Sequence, residues 1–434
     1  RKGKIMDFLT EKLGAVAGVM NSNKYLTAIK ESFTATVGLI IIGSMGLLVG
    51  QVICGANGIG QWIPFLQQFG GMWNHMNNCG TGSITLFVAY NLGYQLSKLN
   101  GKPDFEGGLF SLMCYFLVNE FSVTVDEVSF SGWYTDVVGS KGLIVAMIVC
   151  LIATEFYCKL QDVDSLKITL PDSVPPTVSK SFSSLFPGMI VAFACVIINN
   201  VFKGIVGMTL PAAIYNVLAV PVMAVFDLPI GVILCAFLAN TFWICGLHGA
   251  SIVNGVTNAF TLAALAENAD LVAKGQADGV GYKYLNESGK IYTVSFWSTF
   301  ATLGGSGCTL PLIACVFMFS KREDLKAICK LAIAPGIFEI NEPIIFGIPI
   351  VMNPIMAIPF ILGPMVSCAI GYFATALGIC RKTFIQAPWI MPPLINGFLN
   401  TGGDIMICLV QLVCLVVVFF IWLPFVLISN NQEA

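Results

Sequence analysis

The sequence predicts an all-α polytopic membrane protein of about ten transmembrane helices with re-entrant hairpins and interfacial amphipathic helices, and three observations carry that prediction. Of 434 residues, 56% are hydrophobic and 11% charged, with a mean hydropathy of +0.82. A soluble surface needs roughly twice that share of charge. Apolar runs near ~20 residues recur along the chain, the length of a hydrocarbon crossing. In the second half those runs are interrupted by Gly, Pro and polar residues, and non-helical backbone at membrane depth survives only inside protein or beside a water-filled cavity.

The spans read as Val37 to Ile53, Ser83 to Leu96, Leu109 to Phe121, Leu143 to Tyr157, Phe186 to Val206, Ile230 to Ile244, Thr293 to Phe319, Ile355 to Leu377 and Ile405 to Leu427. Arg1 to Glu31 is amphipathic, lacks the order of a cleaved signal peptide, and reads as a cytoplasmic lead-in helix. Lysines fall in alternate loops: Lys12, Lys24 and Lys30, then Lys98 and Lys102, then Lys159, Lys167 and Lys180, with none from Gln61 to Gly80. By the positive-inside rule the N-terminus is cytoplasmic, in a multi-pass protein of the bacterial inner membrane. Lys321, Arg322, Lys326 and Lys330 mark a further cytoplasmic stretch.

Two segments read as interfacial. Leu170 to Pro187 combines four prolines with five serines and is expected to turn at the surface. Leu210 to Phe226, with Pro211 and Pro221, is expected to lie along it. The domain division is placed there, giving a first half of residues 1–226 and a second of 227–434.

Charge and cysteine usage exclude other classes. The net charge is −2 with dispersed basic residues, so no basic face exists for nucleic acid. Fifteen cysteines, an odd number without a CxxC pair, read as small buried hydrophobes. Two histidines and no HExxH rule out a membrane zinc protease. Neither a metal nor a cofactor is expected.

Candidate site residues cluster at the breaks. Glu339 and Glu342 lie in APGIFEINEPIIFGIPIVMNP, where an ionised carboxylate at membrane depth costs several kcal/mol unless offset. Pro343 disfavours the α conformation for Glu342, which places that carboxylate at a break such as the tip of a re-entrant hairpin, able to accept from a hydroxyl-rich ligand. Capping broken backbone is the structural alternative for either glutamate. His248 sits between Gly246 and Gly249, which let the chain bend sharply; a satisfied structural histidine is the alternative. Trp243 and Trp389 offer faces for sugar stacking or anchors at the interface. Asn240, Asn254, Asn341 and Asn396 read hydroxyls or satisfy freed backbone.

The combination GLHGA (Gly246 to Ala250), GGSGCTLPL (Gly304 to Leu312), FEINEPIIFGIPIVMNP (Phe338 to Pro354) and PWIMPPLINGFLNTGGD (Pro388 to Asp404) resembles the lactose/cellobiose/diacetylchitobiose family of phosphotransferase enzyme IIC. LPDSVPPTVSKSF (Leu170 to Phe182) looks like that family too. The resemblance implies a homodimer with an N-terminal scaffold half, and a C-terminal transport half that moves in an elevator-like manner. It implies a disaccharide substrate and a separate IIB protein whose phosphocysteine phosphorylates the sugar's 6-hydroxyl. His248 and Glu342 match the family's sugar-contacting pair near that hydroxyl, and Trp243 and Trp389 its aromatic contacts. One departure is FEINEP, where family members commonly show FNINEP; it leaves the roles of Glu339 and Glu342 open, with Glu342 preferred.

A carboxylate within hydrogen-bond reach of the 6-hydroxyl can serve as positioner and general base; the alternative is that Glu342 only grips the hydroxyl and IIB supplies all catalysis. The rival readings are an ion-coupled secondary sugar transporter, which also uses midplane carboxylates and broken helices, and a membrane receptor that binds sugar without moving it.

Overall fold

The computed structural model describes residues 22–55, 59–125, 128–133, 135–139, 142–168, 182, 184–348, 350–351 and 353–430. The lead-in helix expected over Arg1 to Glu31 lies outside this set up to residue 21, and from Lys24 onward the chain is already in a long apolar helix. Most of the turn expected from Leu170 to Pro187 also lies outside it.

Two compact units form: residues 23–39 with 80–222, and residues 40–79 with 223–434. The second unit thus takes in residues 40–79, which the sequence division at 226 assigns to the first half. The physical link is visible in its core, where Leu47 packs with Ala269, Val272, Leu285, Phe384 and Ile385.

Helix α1 (Lys24–Leu48) is apolar along its length and runs on as a π turn to Ile53; α2 (Gly70–Cys79) follows. In the first unit come α3 (Ile84–Leu99) and α4 (Asp104–Leu117), a β-hairpin of β1 (Ser122–Val125) and β2 (Val128–Ser131), then α5 (Gly142–Leu160) and α6 (Leu185–Val206). The hairpin is antiparallel, with Ser122 opposite Ser131, the one β element among the described residues. Packing here is tight: the Ser111 hydroxyl donates to the Ala89 carbonyl, and Phe110 stacks on Tyr157 at 4.0 Å. The largely buried Glu155 carboxylate receives Lys24 Nζ at 2.8 Å and Asn100 Nδ2 at 3.1 Å, so its charge is both paired and hydrogen-bonded.

The second unit is built from α7 (Pro229–Ile244), α8 (Gly249–Ala277), α9 (Val294–Phe300), α10 (Thr309–Phe319), α11 (Glu323–Ile337), α12 (Glu342–Gly347), α13 (Pro354–Ala376), α14 (Ile395–Asn400) and α15 (Ile405–Ser429). Trp422, Phe296, Phe300 and Phe360 are fully buried in its core.

Six helices among the described residues are long and apolar enough to cross a membrane, or seven if Leu210–Phe226 and Pro229–Ile244 count as one bent span. This is fewer than the roughly ten read from hydropathy. Helices α3 and α4 have 16 and 14 residues, and the run Thr293 to Phe319 divides into α9 and α10 around the Gly304–Gly307 turn. One helix long and apolar enough to cross escaped the sequence reading: α8, 29 residues long, whose hydropathy is diluted by Asn254, Asn258, Glu267, Asn268 and Asp270.

Candidate functional site

The breaks in the second unit surround one cavity of about 310 Å³, within the roughly 300–1,000 Å³ range of small-molecule sites. Each wall is a place where a helix stops for a reason legible in its residues.

The first wall is the α7–α8 corner. The chain reverses at Gly246 with φ 78°, and His248 caps α8, its Nδ1 accepting the Ser251 N–H at 3.2 Å. An accepting Nδ1 puts the proton of the neutral ring on Nε2. The indole of Trp243 lies 4.5 Å from the His248 ring and 6.5 Å from Phe346. Asn254 faces the same cavity from the next turn of α8.

The second wall is α9 with its following turn. Trp297, Ser298 and Thr302 line the cavity, and the chain then passes through Gly304, Gly305 and Gly307, all with positive φ. At Gly305 (φ 89°) a Cβ would collide with the side chain of Asn341, so only glycine fits.

The third wall holds the two glutamates, and the structure separates them. Glu339 is 7% exposed, sits at φ 67°, and accepts the backbone N–H groups of Gly304 and Gly305 through Oε2. Its carboxylate therefore caps broken backbone while still bordering the cavity. Asn341 is similarly engaged, donating to Ser306 O at 2.6 Å and Thr309 Oγ1 at 2.9 Å. Glu342 opens α12 with Pro343 in the first turn, where a missing N–H costs nothing. Its side chain is exposed, lines the cavity, and has no side-chain hydrogen bond among the described residues.

The fourth wall is the irregular segment before α14. Trp389 is 60% exposed at the cavity rim. Behind it, Asn400 Oδ1 receives the Ala387 N–H and Gln411 Oε1 the Leu394 N–H, holding a segment that has no helix of its own.

Of the residues singled out from sequence, Trp243, His248, Asn254, Glu339, Asn341, Glu342 and Trp389 border this one cavity. Asn240 does not: it is 3% exposed, donates to Ala236 O and accepts the Gly307 N–H at 2.9 Å, so it supports the turn from behind. Asn396 is likewise buried away from the cavity, accepting from Thr299 and Asn400. Sequence reasoning missed Trp297, Ser298, Thr302, Ser251 and Ser306. The available signal was position: all lie within a turn or two of a break already identified.

Among the described residues no three His, Cys, Asp or Glu side chains converge to hold a metal. All fifteen cysteines are free thiols, and none borders the cavity. What the cavity presents is one free carboxylate, one imidazole, several hydroxyls and amides, and three indoles, a lining suited to a neutral, hydroxyl-rich ligand with apolar faces.

Comparison with known proteins agrees with this architecture. The chain is 32% identical to the lichenan permease IIC component of Bacillus subtilis (strain 168), over 99% of this chain and 94% of that protein. It is 33% identical to the cellobiose-specific EIIC component of Geobacillus stearothermophilus, over 99% and 95%. The crystal structure of the transporter ChbC, the IIC component from the N,N'-diacetylchitobiose-specific phosphotransferase system, superposes with a TM-score of 0.89 at 30% identity, covering 98% of each chain. Residues 30–364 match the phosphotransferase system EIIC family, and this chain, a multi-pass membrane permease component, belongs to that family.

Proposed function

We propose that the cavity binds a β-linked disaccharide of the cellobiose or diacetylchitobiose type and presents its 6-hydroxyl for phosphorylation by the phosphocysteine of a separate IIB protein. The observation that carries this reading is the pairing of an unengaged carboxylate, Glu342, with an imidazole whose Nε2–H is the free donor, His248, in a cavity walled by Trp243, Trp297 and Trp389. Indole faces pack on the apolar C–H faces of a sugar ring, while the polar groups read its hydroxyls.

In the transfer step, the 6-oxygen forms a bond to phosphorus as the S–P bond of phosphocysteine breaks and the thiolate leaves. The hydroxyl proton passes to Glu342, which holds the oxygen in line and acts as general base. His248 donates from Nε2 to a neighbouring sugar oxygen. Trp243, Trp389, Asn254 and Asn341 form the surrounding sugar contacts, and Glu339 acts through the turn it caps.

Around this site we place an elevator-like movement of the C-terminal half, within a chain of about ten transmembrane helices plus re-entrant hairpins at the breaks. The N-terminal half serves as the scaffold of a homodimer, and the N-terminus is cytoplasmic. The broken segments around the cavity support the re-entrant hairpins, and the lysines in alternate loops support the orientation of the N-terminus.

The test uses membranes containing this chain, the soluble phosphoryl carriers, phosphoenolpyruvate and a disaccharide panel. Phosphoenolpyruvate-dependent formation of a disaccharide 6-phosphate is expected. Uptake of unmodified sugar that collapses with an uncoupler would instead identify an ion-coupled transporter.

A further inference from the structure

The connection between α1 and α3 is unusual for a loop. Residues 32–97 contain no Asp, Glu, Lys or Arg, whereas connecting segments that face water are ordinarily polar. Within it, Pro64–Phe69 forms a 3-10 helix with no buried residue. Five large apolar side chains stand out from this stretch and the start of α2: Trp62 at 82% exposure, Phe65 at 67%, Met72 at 60%, Ile63 at 49% and Phe69 at 38%.

The segment is nonetheless held in place. Gln67 Nε2 donates to Gly60 O at 2.8 Å, and the Phe65 and Phe69 rings meet edge to face at 5.4 Å. Helix α2 folds back along the end of α1. A Cβ on Gly46 would lie 2.8 Å from Trp73 O and 2.9 Å from Met76 Cβ, and one on Gly50 would lie 2.5 Å from Asn74 Oδ1. Gly46 and Gly50 are one helical turn apart, so they form the small-residue face that lets the two helices approach closely. Helix α1 is itself an apolar helix of spanning length, and with α2 docked on its last turns the exposed side chains lie beside the end of that helix.

We propose that Gln61–Met72 is an in-plane lipid anchor, with Trp62, Ile63, Phe65, Phe69 and Met72 seated at the headgroup–acyl boundary of a phospholipid bilayer. Three features select lipid as the occupant. The patch is continuous with the end of a spanning helix. It carries no charge that insertion would have to desolvate. Its polar side chains, Gln61, Gln67 and Gln68, are uncharged and flank the apolar run Trp62 to Leu66, and tryptophan and phenylalanine favour the depth of the interface.

The test uses the full chain reconstituted in phosphatidylcholine–phosphatidylglycerol vesicles that contain phospholipid brominated near the headgroup end of the acyl chain. The tryptophan emission lost in Trp62→Phe is expected to be quenched by brominated lipid and shielded from aqueous acrylamide. Quenching of that component by acrylamide, or by neither agent, would overturn the proposal. A second measurement covers the case in which Trp62→Phe perturbs folding. With p-benzoylphenylalanine at position 65, irradiation is expected to give an adduct of phospholipid mass, and crosslinking to a second copy of the chain would overturn the anchor in favour of a protein interface.

Discussion

Glu339 Oε2 accepts the N–H of Gly305 at 2.9 Å and the N–H of Gly304 at 3.1 Å, so one oxygen ties the turn between α9 and α10 to the break between α11 and α12. Both partners are buried. Glu339→Ala strands two N–H donors, at about 1–3 kcal/mol each, and is expected to lower the thermal unfolding midpoint in detergent and weaken sugar binding by about tenfold or more. Glu339→Gln keeps an oxygen able to accept both bonds and is expected to stay near wild type. Equal behaviour of Ala and wild type would remove the capping role.

Glu342 differs from Glu339 in having no hydrogen-bond partner for its carboxylate among the described residues. Glu342→Gln is therefore expected to fold normally and retain disaccharide binding by calorimetry. Phosphoenolpyruvate-dependent phosphorylation should fall by about 10²–10⁴-fold, the usual contribution of a positioned base. Normal phosphorylation in this variant would sink the base role and leave Glu342 as a grip on the hydroxyl.

His248 caps α8 through Nδ1, and the proposed function gives its Nε2–H a second task as a donor to the sugar. His248→Asn retains a side chain suited to capping α8 but lacks the outward Nε2 donor, so stability is expected to hold while sugar affinity drops by about tenfold. His248→Ala should lose about 0.5–2 kcal/mol of helix stability in addition. Thermal melts and binding isotherms on the two variants separate the tasks.

Gly305 and Gly255 give opposite expectations for the same chemical change. At Gly305 the backbone has φ 89° and a Cβ would strike Asn341, so Gly305→Ala is expected to abolish transport and lower the unfolding midpoint. Nothing lies within 4 Å of a Cβ on Gly255, which is inside α8. Gly255→Ala is expected to stabilise by about 0.5–1 kcal/mol, as alanine replaces glycine in a helix. Equal effects would mean that the turn is not sterically tight.

Much of the site was legible because broken apolar runs are local sequence features. Gly246, the Gly304–Gly307 turn, Pro343 and the Pro388–Asp404 stretch each mark a helix end, and residues beside helix ends are the ones that face the cavity. What the sequence left open or passed over involved partners distant in sequence. Asn240 reads either as a ligand contact or as a group that satisfies freed backbone, and its side chain accepts the N–H of Gly307, 67 residues on. Helix α8 was passed over because its polar residues dilute its hydropathy. Asn268 shows where such residues go: its side chain bonds Lys290 and Thr383 inside the unit.

Residues 40–79 make the same point for domain organisation. Their contacts with residues after 223 run through Leu47 and its neighbours, and no composition shift announces them.

The sequence by itself determined the solvent of this protein and its family, since both follow from properties read along the chain: apolar content and four motifs in order. Only the tertiary structure decided which of two carboxylates three residues apart is free. Burial and hydrogen bonding depend on what the fold brings alongside: Glu339 meets two glycine N–H groups from 34 and 35 residues earlier, whereas Glu342 lines the cavity with no hydrogen-bond partner among the described residues.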